Sequence, residues 1–310
     1  MRYSALPSSV YKNHRKKFIS HMQSGAMAVF NSNDIMPTNA DGLMPFRQNN
    51  DLLHLCGIDQ EETILVLFPE SPVHEHREVL FLRETSPEIA IWEGEKLTKE
   101  QARELSGIEH IFWMKDFDRV FKAMMSETSI IYLNSNEHLR ANIEVETRDV
   151  RFQHWLKKHF PLHQFRRSAP IMHLLRAVKS EEEIAHLQTA CDITEKGFRR
   201  ILNFIKPGVM EYEIEAELLH EFIRNRSRGF AYSPIIASGF DSCVLHYVTN
   251  NKACKDGDIL LLDIGAEYGN YASDLTRTIP VNGKYSPRQR EIYNAVLRVH
   301  KAAVQLLRPG

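Results

Sequence analysis

Asp263 and Asp274 are the residues whose type and spacing most directly suggest chemistry. They lie eleven residues apart, the first in Ile259-Leu-Leu-Leu-Asp263-Ile-Gly265-Ala and the second in Ala272-Ser-Asp274-Leu-Thr-Arg-Thr278. Between them, Glu267-Tyr-Gly-Asn270 has the composition of a tight turn. A turn centred on Tyr268 and Gly269 sets the two aspartates directly opposite each other. Any even loop length keeps them on one face, because strand side chains alternate with period two. Directly opposed like charges destabilise a strand pair. Burying an unpaired carboxylate costs several kcal/mol or forces it to take a proton. A divalent cation between the two removes both penalties. The four aliphatic residues before Asp263 argue for burial, and so for a metal site over a solvated acidic hairpin.

His246 lies upstream in Tyr232-Ser-Pro-Ile-Ile-Ala-Ser238-Gly-Phe-Asp-Ser-Cys-Val-Leu-His246-Tyr. A histidine near a metal hairpin can donate to a carbonyl or a developing oxyanion near neutral pH. Other histidines are weaker candidates. His74 and His76 fall in a polar loop, and Pro161 breaks the helix that His159 and His163 would need to share a face. There is no glycine-rich phosphate loop, no His-Glu-x-x-His and no Gly-x-Ser-x-Gly. Ser238 precedes a glycine without a strand-to-helix elbow, so it is not a nucleophile.

The elements that must position these residues are legible in outline. Residues 63–68, 79–82 and 129–133 read as buried strands, with helical spacing over 98–105 and 115–125, an alternation expected of an α/β domain. The basic run Lys12-Asn-His-Arg-Lys-Lys17 reads as the solvated side of a first helix. A break at Ser168-Ala-Pro170 is followed by a capping box at Ser180 and Glu183. The helix it opens runs to Phe204, with Ile184, Leu187, Ala190, Ile193 and Phe198 as its apolar stripe. A short strand is expected over 234–237 and a turn over 238–241. A second capped helix starts at Ser286-Pro287, with Ile292, Val296, Val299 and Ala303 on one face. Phe-Ile-Lys-Pro-Gly208 and Leu-Leu-Arg-Pro-Gly310 close the two helices alike, which suggests an internal repeat. The domain boundary is placed at 173/174, giving domains 1–173 and 174–310.

The 310 residues suffice for two cores, and 43% hydrophobic with 25% charged residues is ordinary for a globular protein. A net charge of −1 argues against a nucleic-acid or anionic-membrane binder. No apolar run approaches the roughly 20 residues of a membrane span. Four scattered cysteines form no Cys-x-x-Cys pair and fit a reducing, cytoplasmic setting.

The stretch Asp258-Ile-Leu-Leu-Leu-Asp263-Ile-Gly-Ala-Glu-Tyr-x-x-Tyr-Ala-Ser-Asp274-Leu-Thr-Arg-Thr, preceded by Val-Leu-His246-Tyr, closely resembles the Xaa-Pro aminopeptidases (aminopeptidase P). These are pita-bread metallopeptidases related to prolidase, methionine aminopeptidase and creatinase. Pro45-Phe-Arg-Gln-Asn-Asn-Asp51-Leu-Leu-His-Leu-Cys-Gly57 resembles the N-domain segment of the same family, with Leu52, Leu53 and His54 in place of its usual aromatics. The resemblance implies an α/β, creatinase-like N-terminal domain that caps the cleft. After it comes an α+β pita-bread catalytic domain, incomplete at its C-terminal end. It also implies release of the N-terminal residue from peptides with proline second, by a water or hydroxide bridging two divalent ions, usually manganese. Asp263 matches a ligand serving mainly one metal, Asp274 a ligand bridging both, His246 a histidine that hydrogen-bonds substrate, and Tyr232 a tyrosine lining the site. The family's further histidine and two glutamate ligands lie beyond the residue matching Gly310, so the 310-residue chain alone is expected to lack most activity. A homo-oligomer, dimer or tetramer, is also implied. Prolidase, or a non-catalytic pita-bread module that binds peptide or protein, are the alternatives.

Overall fold

The computed structural model describes residues 2–140 and 144–309. The chain divides into two compact units. One is Ala5–Glu182, and the other runs from Glu183 onward and takes in residues 2–4. The division thus falls in the first turn of a long helix, nine residues beyond the boundary placed from sequence.

The first unit is an α/β domain. Strands β1 (Ala26–Asn31), β2 (Ile64–Leu67), β3 (Glu78–Leu82), β4 (His110–Trp113), β5 (Ile130–Leu133) and β6 (Gln164–Arg167) form one sheet in the order β4-β3-β2-β1-β5-β6. β1 pairs antiparallel with β2 and parallel with β5. All six residues of β1 are buried, as a central strand covered on both faces requires. Ala28 and Phe30 face one core with Leu65, Leu67 and Leu80, whereas Met27 and Val29 face the other with Val66, Val79 and Phe121. Helices α1 (Ser8–Ser20), α2 (Asn50–Cys56), α3 (Pro87–Glu93), α4 (Lys99–Ser106), α5 (Phe117–Met125), α6 (Arg148–His159) and α7 (Ala169–Ala177) complete the unit.

The basic run of α1 is not simply its solvated side. Arg15 is fully buried and donates to Leu55 O at 2.9 Å, Ser106 O at 3.0 Å and Glu78 Oε2 at 3.0 Å. Its guanidinium thus ties α1 to two backbone carbonyls, in α2 and α4, and to the Glu78 carboxylate of β3. At the ends of β1 and β5, the buried Asp149 carboxylate accepts from Asn31 Nδ2 at 2.8 Å and from Asn49 and Asn134 Nδ2, both at 3.4 Å. Burial dominates those hydrogen bonds and pushes the Asp149 carboxyl up to about 7.

In the second unit, helices α8 (Glu181–Phe204) and α9 (Glu211–Arg224) share a core with a three-stranded antiparallel sheet, β11-β8-β7. The strands are β7 (Ile235–Ser238), β8 (Ile259–Ile264) and β11 (Leu275–Pro280), with the short pair β9 (Glu267–Tyr268) and β10 (Tyr271–Ala272) beyond them. Leu260, Leu262 and Ile264 enter the core with Ile193, Leu218 and Phe222. Period two therefore sends Leu261 and Asp263 to the other face, where both are half-buried.

Two expectations are corrected. Ile184 of α8 is exposed, and the buried line of that helix includes Glu183, His186 and Thr194. These polar groups are admitted because each meets a partner: Glu183 the Tyr271 hydroxyl, His186 the rings of Tyr268 and Tyr271, and Thr194 the Ser273 hydroxyl. The last helix, α10 (Pro287–Leu306), is capped by Ser286 as expected, here in a capping box with Gln289, but no residue of it is buried.

Candidate metal centre

The hairpin turns one residue later than its composition suggests. Tyr271 pairs with Tyr268, which leaves Gly269 and Asn270 as a two-residue loop. Both have positive φ, 58° and 67°, the conformation that a type I′ hairpin demands and that glycine and asparagine tolerate best. The register moves accordingly. Asp263 lies opposite Thr276, with Leu275 opposite Ile264, so Asp274 is a diagonal neighbour of Asp263 on the same face and not its direct partner.

Beyond β8 the chain is held by a hydroxyl relay. Ser273 donates to Ala266 O from its backbone N at 3.0 Å and from Oγ at 2.9 Å. The Thr194 and Ser273 hydroxyls are 2.6 Å apart, and Thr194 Oγ1 accepts from Ala266 N at 2.8 Å. Gly265 lets the strands close here. A Cβ on it would lie 2.0 Å from Ser273 O and 3.1 Å from Tyr232 Cε1.

With the backbone so fixed, the two carboxylates meet at one hydroxyl. Tyr232 Oη lies 2.6 Å from Asp263 Oδ1 and 3.2 Å from Asp274 Oδ1. Its single proton can serve only one at a time. Burial, then the hydrogen bond and charge of Asp263 with the charge of Asp274, push the phenol well above its ordinary value, so Tyr232 stays a donor. The second oxygen of each aspartate makes no hydrogen bond to a described residue. Asp263 is half-buried, whereas Asp274 is exposed and so lacks the burial expected of the hairpin; two hard oxygen donors sharing one proton still fit a divalent cation. Among the described residues, no third His, Cys, Asp or Glu completes a metal-ligand group with Asp263 and Asp274. A cavity of about 380 Å³ opens beside Asp274, lined also by Cys191, Thr194, Phe198, Leu202 and Leu275.

His246 is exposed, in the loop after a short 3₁₀ turn at Gly239–Cys243, and no hydrogen bond joins it to Tyr232, Asp263 or Asp274. Its neighbour Tyr247 is buried and packs with Ile235 and Ala237 of β7. Ser238 is bound as a donor to Glu211 and is no nucleophile. His159 and His163 bond the backbone oxygens of Trp155 and Met125, which are structural roles. Sequence reasoning missed Thr194, Ser273, Glu211 and Tyr247. Only Tyr247, next to His246 in an apolar patch, carried a local signal.

Comparison with known proteins adds the following. The pattern of metallopeptidase family M24 matches residues 185–310, and that of the aminopeptidase P N-terminal domain matches residues 11–132. The Xaa-Pro aminopeptidase of Escherichia coli K12 is 32% identical over 99% of this chain and 70% of its own length. Human Xaa-Pro aminopeptidase 3 is 32% identical over 90% of this chain and 54% of its own. The structure of Pseudomonas aeruginosa aminopeptidase PepP superposes with a TM-score of 0.89 at 31% identity, covering 99% of this chain and 69% of that one. An E. coli aminopeptidase P variant in complex with substrate gives a TM-score of 0.86 at 32% identity, over 99% of this chain and 70% of the other.

Proposed function

We infer the function from one premise: the chain belongs to the Xaa-Pro aminopeptidases of metallopeptidase family M24. It is a metal-dependent aminopeptidase acting on peptides with proline in the second position. Neither the dipeptidase reading nor that of a non-catalytic binding module is favoured.

The site assignment is part of the proposal. Asp263 would hold mainly one divalent ion and Asp274 would bridge two, of which manganese is the expected element. The observation that supports it is the gathering of both carboxylates at the Tyr232 hydroxyl. When bound, such ions lower the pKa of a coordinated water and polarise the scissile carbonyl. This chain's own residues do the rest. Tyr232, within reach of one oxygen of each aspartate and donating to one at a time, would orient the pair and leave their other oxygens free for a cation. His246 donates to the peptide beside the scissile bond. A reducing, cytoplasmic setting suits the four unpaired cysteines, of which Cys56 and Cys254 are buried with thiols pushed up to about 12 and 11. No helix among the described residues is long and apolar enough to cross a membrane.

Titrating the protein with manganese by calorimetry, then assaying an Xaa-Pro-Yaa peptide beside an Xaa-Pro dipeptide, tests this. The expected result is manganese binding that Asp263→Asn abolishes, with release of the N-terminal residue only in the presence of metal. Two carboxylates do not complete the coordination shell of a hard cation, so turnover by the 310-residue chain is expected to be slow. Peptide binding at micromolar affinity with no metal uptake would overturn the assignment.

A further inference from the structure

Glu211 opens helix α9 with a side chain that is entirely buried, and it is used as an acceptor four times. Oε1 accepts from Ser238 N at 2.8 Å and Ser238 Oγ at 2.7 Å. Oε2 accepts from Tyr247 Oη at 2.7 Å and Lys252 N at 3.0 Å. Ser238 ends β7, Tyr247 follows His246, and Lys252 lies on the way to β8. One carboxylate therefore grips both ends of the His246 loop and its middle.

Elsewhere the loop is held at Asp241, which is buried and ion-paired with Lys252, and at Asn250. Phe240, Val244, Leu245, His246 and Val248 are all exposed, and Leu245 is 89% accessible. Among the apolar side chains of residues 240–250, Tyr247 is the buried one, seated on Ile235 and Ala237 with Leu261 beside it. Ile235 is the β-sheet partner of Asp263. The seat of Tyr247 is thus one strand position from the carboxylate that the metal reading uses. One turn along α9 from Glu211, Glu215 ties the far end of the loop in the same way. Its Oε2 accepts from Asn250 Nδ2 at 2.9 Å, and Asn250 also donates to Pro234 O at 3.0 Å and accepts from Ile236 N at 3.1 Å.

We propose that Glu211 and Tyr247 are the positioning residues of His246. They fix the loop that presents its ring at a set distance from Asp263 and do not themselves touch substrate. The inference deepens the proposed function and rests on the reading of His246 and Asp263 as site residues. A buried carboxylate with every acceptor position turned to one loop specifies a single backbone path, since any other leaves it desolvated without donors.

Tyr247→Phe keeps the ring on Ile235 and removes only the hydroxyl, so it tests the clamp without emptying the core. Glu211→Gln is the second variant. Amide ¹⁵N relaxation over residues 240–250 reads loop order. Relaxation of the His246 and Tyr232 ring protons by added Mn²⁺ reads their distance from the metal. In the unaltered protein the loop is expected to be as ordered as β7, with both rings strongly relaxed. In Tyr247→Phe, cooperative melting should remain while loop order falls and the His246 effect changes at least twofold, with Tyr232 unchanged. Wild-type loop order and wild-type His246 relaxation in Tyr247→Phe would overturn the proposal, whether or not Glu211→Gln folds. If no manganese binds at all, the metal assignment falls, and the loop relaxation alone decides the clamp.

Discussion

Tyr232 and Asp149 show how the setting of a single group decides its chemistry. Tyr232 places its one proton between two carboxylates, nearer Asp263, and so acts as an orienting partner to the proposed ligands. Such partners typically change metal affinity or activity by about 10–100-fold when removed. Tyr232→Phe is accordingly expected to weaken manganese binding by at least about tenfold in calorimetry, with little change in melting temperature. Asp149 is a buried acid held near 7 against an ordinary value of 3.8. Between those values the unfolded chain has lost its proton while the folded one keeps it, so stability falls as pH rises from about 4 to about 7 and then levels. At about 1.4 kcal/mol per pH unit, the upper bound is about 4 kcal/mol. Asp149→Asn should match the wild type near pH 4 and exceed it increasingly up to pH 7 in urea titrations. A constant difference across that range would refute the neutral-acid reading. The shared face of Asp263 and Asp274 was legible from their spacing, whereas the burial of Arg15, Glu211 and Asp149 was not. Burial of a polar side chain is decided by partners distant in sequence, such as the Ser106 carbonyl 91 residues from Arg15, and no local pattern carries that.

The hairpin shows the same limit one level up. Its strands, its even loop and the shared face of Asp263 and Asp274 followed from periodicity, but the turn was misplaced because Tyr-Gly and Gly-Asn are both plausible centres. The backbone decides: Gly269 and Asn270 can both take positive φ, whereas Tyr268 would be strained there. Gly265 carries a sharper prediction. Alanine at 265 forces a Cβ against a backbone oxygen, not a flexible side-chain tip. It should cost about 3 kcal/mol or more, beyond the usual overpacking range, and displace Asp274 enough to lose metal. Alanine at 269 should cost only about 1 kcal/mol and leave binding intact. Chemical denaturation and calorimetry on the two variants separate these outcomes. The polar seam of α8 was misread for a related reason: Ile184 fits a 3.6-residue stripe, but Glu183 and His186 have partners in β9 and β10 that hold the helix turned the other way.

At the scale of the chain, two compact units form, the first with a core on each face of its sheet, and the alternation of strands and helices correctly foretold an α/β first unit. Helix α10 does not bury the face that its periodicity promised: Ile292, Val296 and Val299 remain 49%, 62% and 69% accessible. Among the described residues, strand β11 pairs only with β8. A homo-oligomer is the state that the family resemblance suggests, and the exposed apolar residues of α10 give a place to test it. Sedimentation should show concentration-dependent association that Val296→Lys with Val299→Lys reduces. Unchanged association in that double variant would move the interface elsewhere.

The hollow beside Asp274 also contains the exposed sulfur of Cys191. A thiol-reactive dye attached there would share a wall with a carboxylate assigned to the metal, while the buried thiols of Cys56 and Cys254 would react slowly. Blocking Cys243, the other exposed thiol, by substitution would leave one reporter. Its emission should then change as manganese arrives, turning cation uptake into an optical signal that needs no peptide and no turnover.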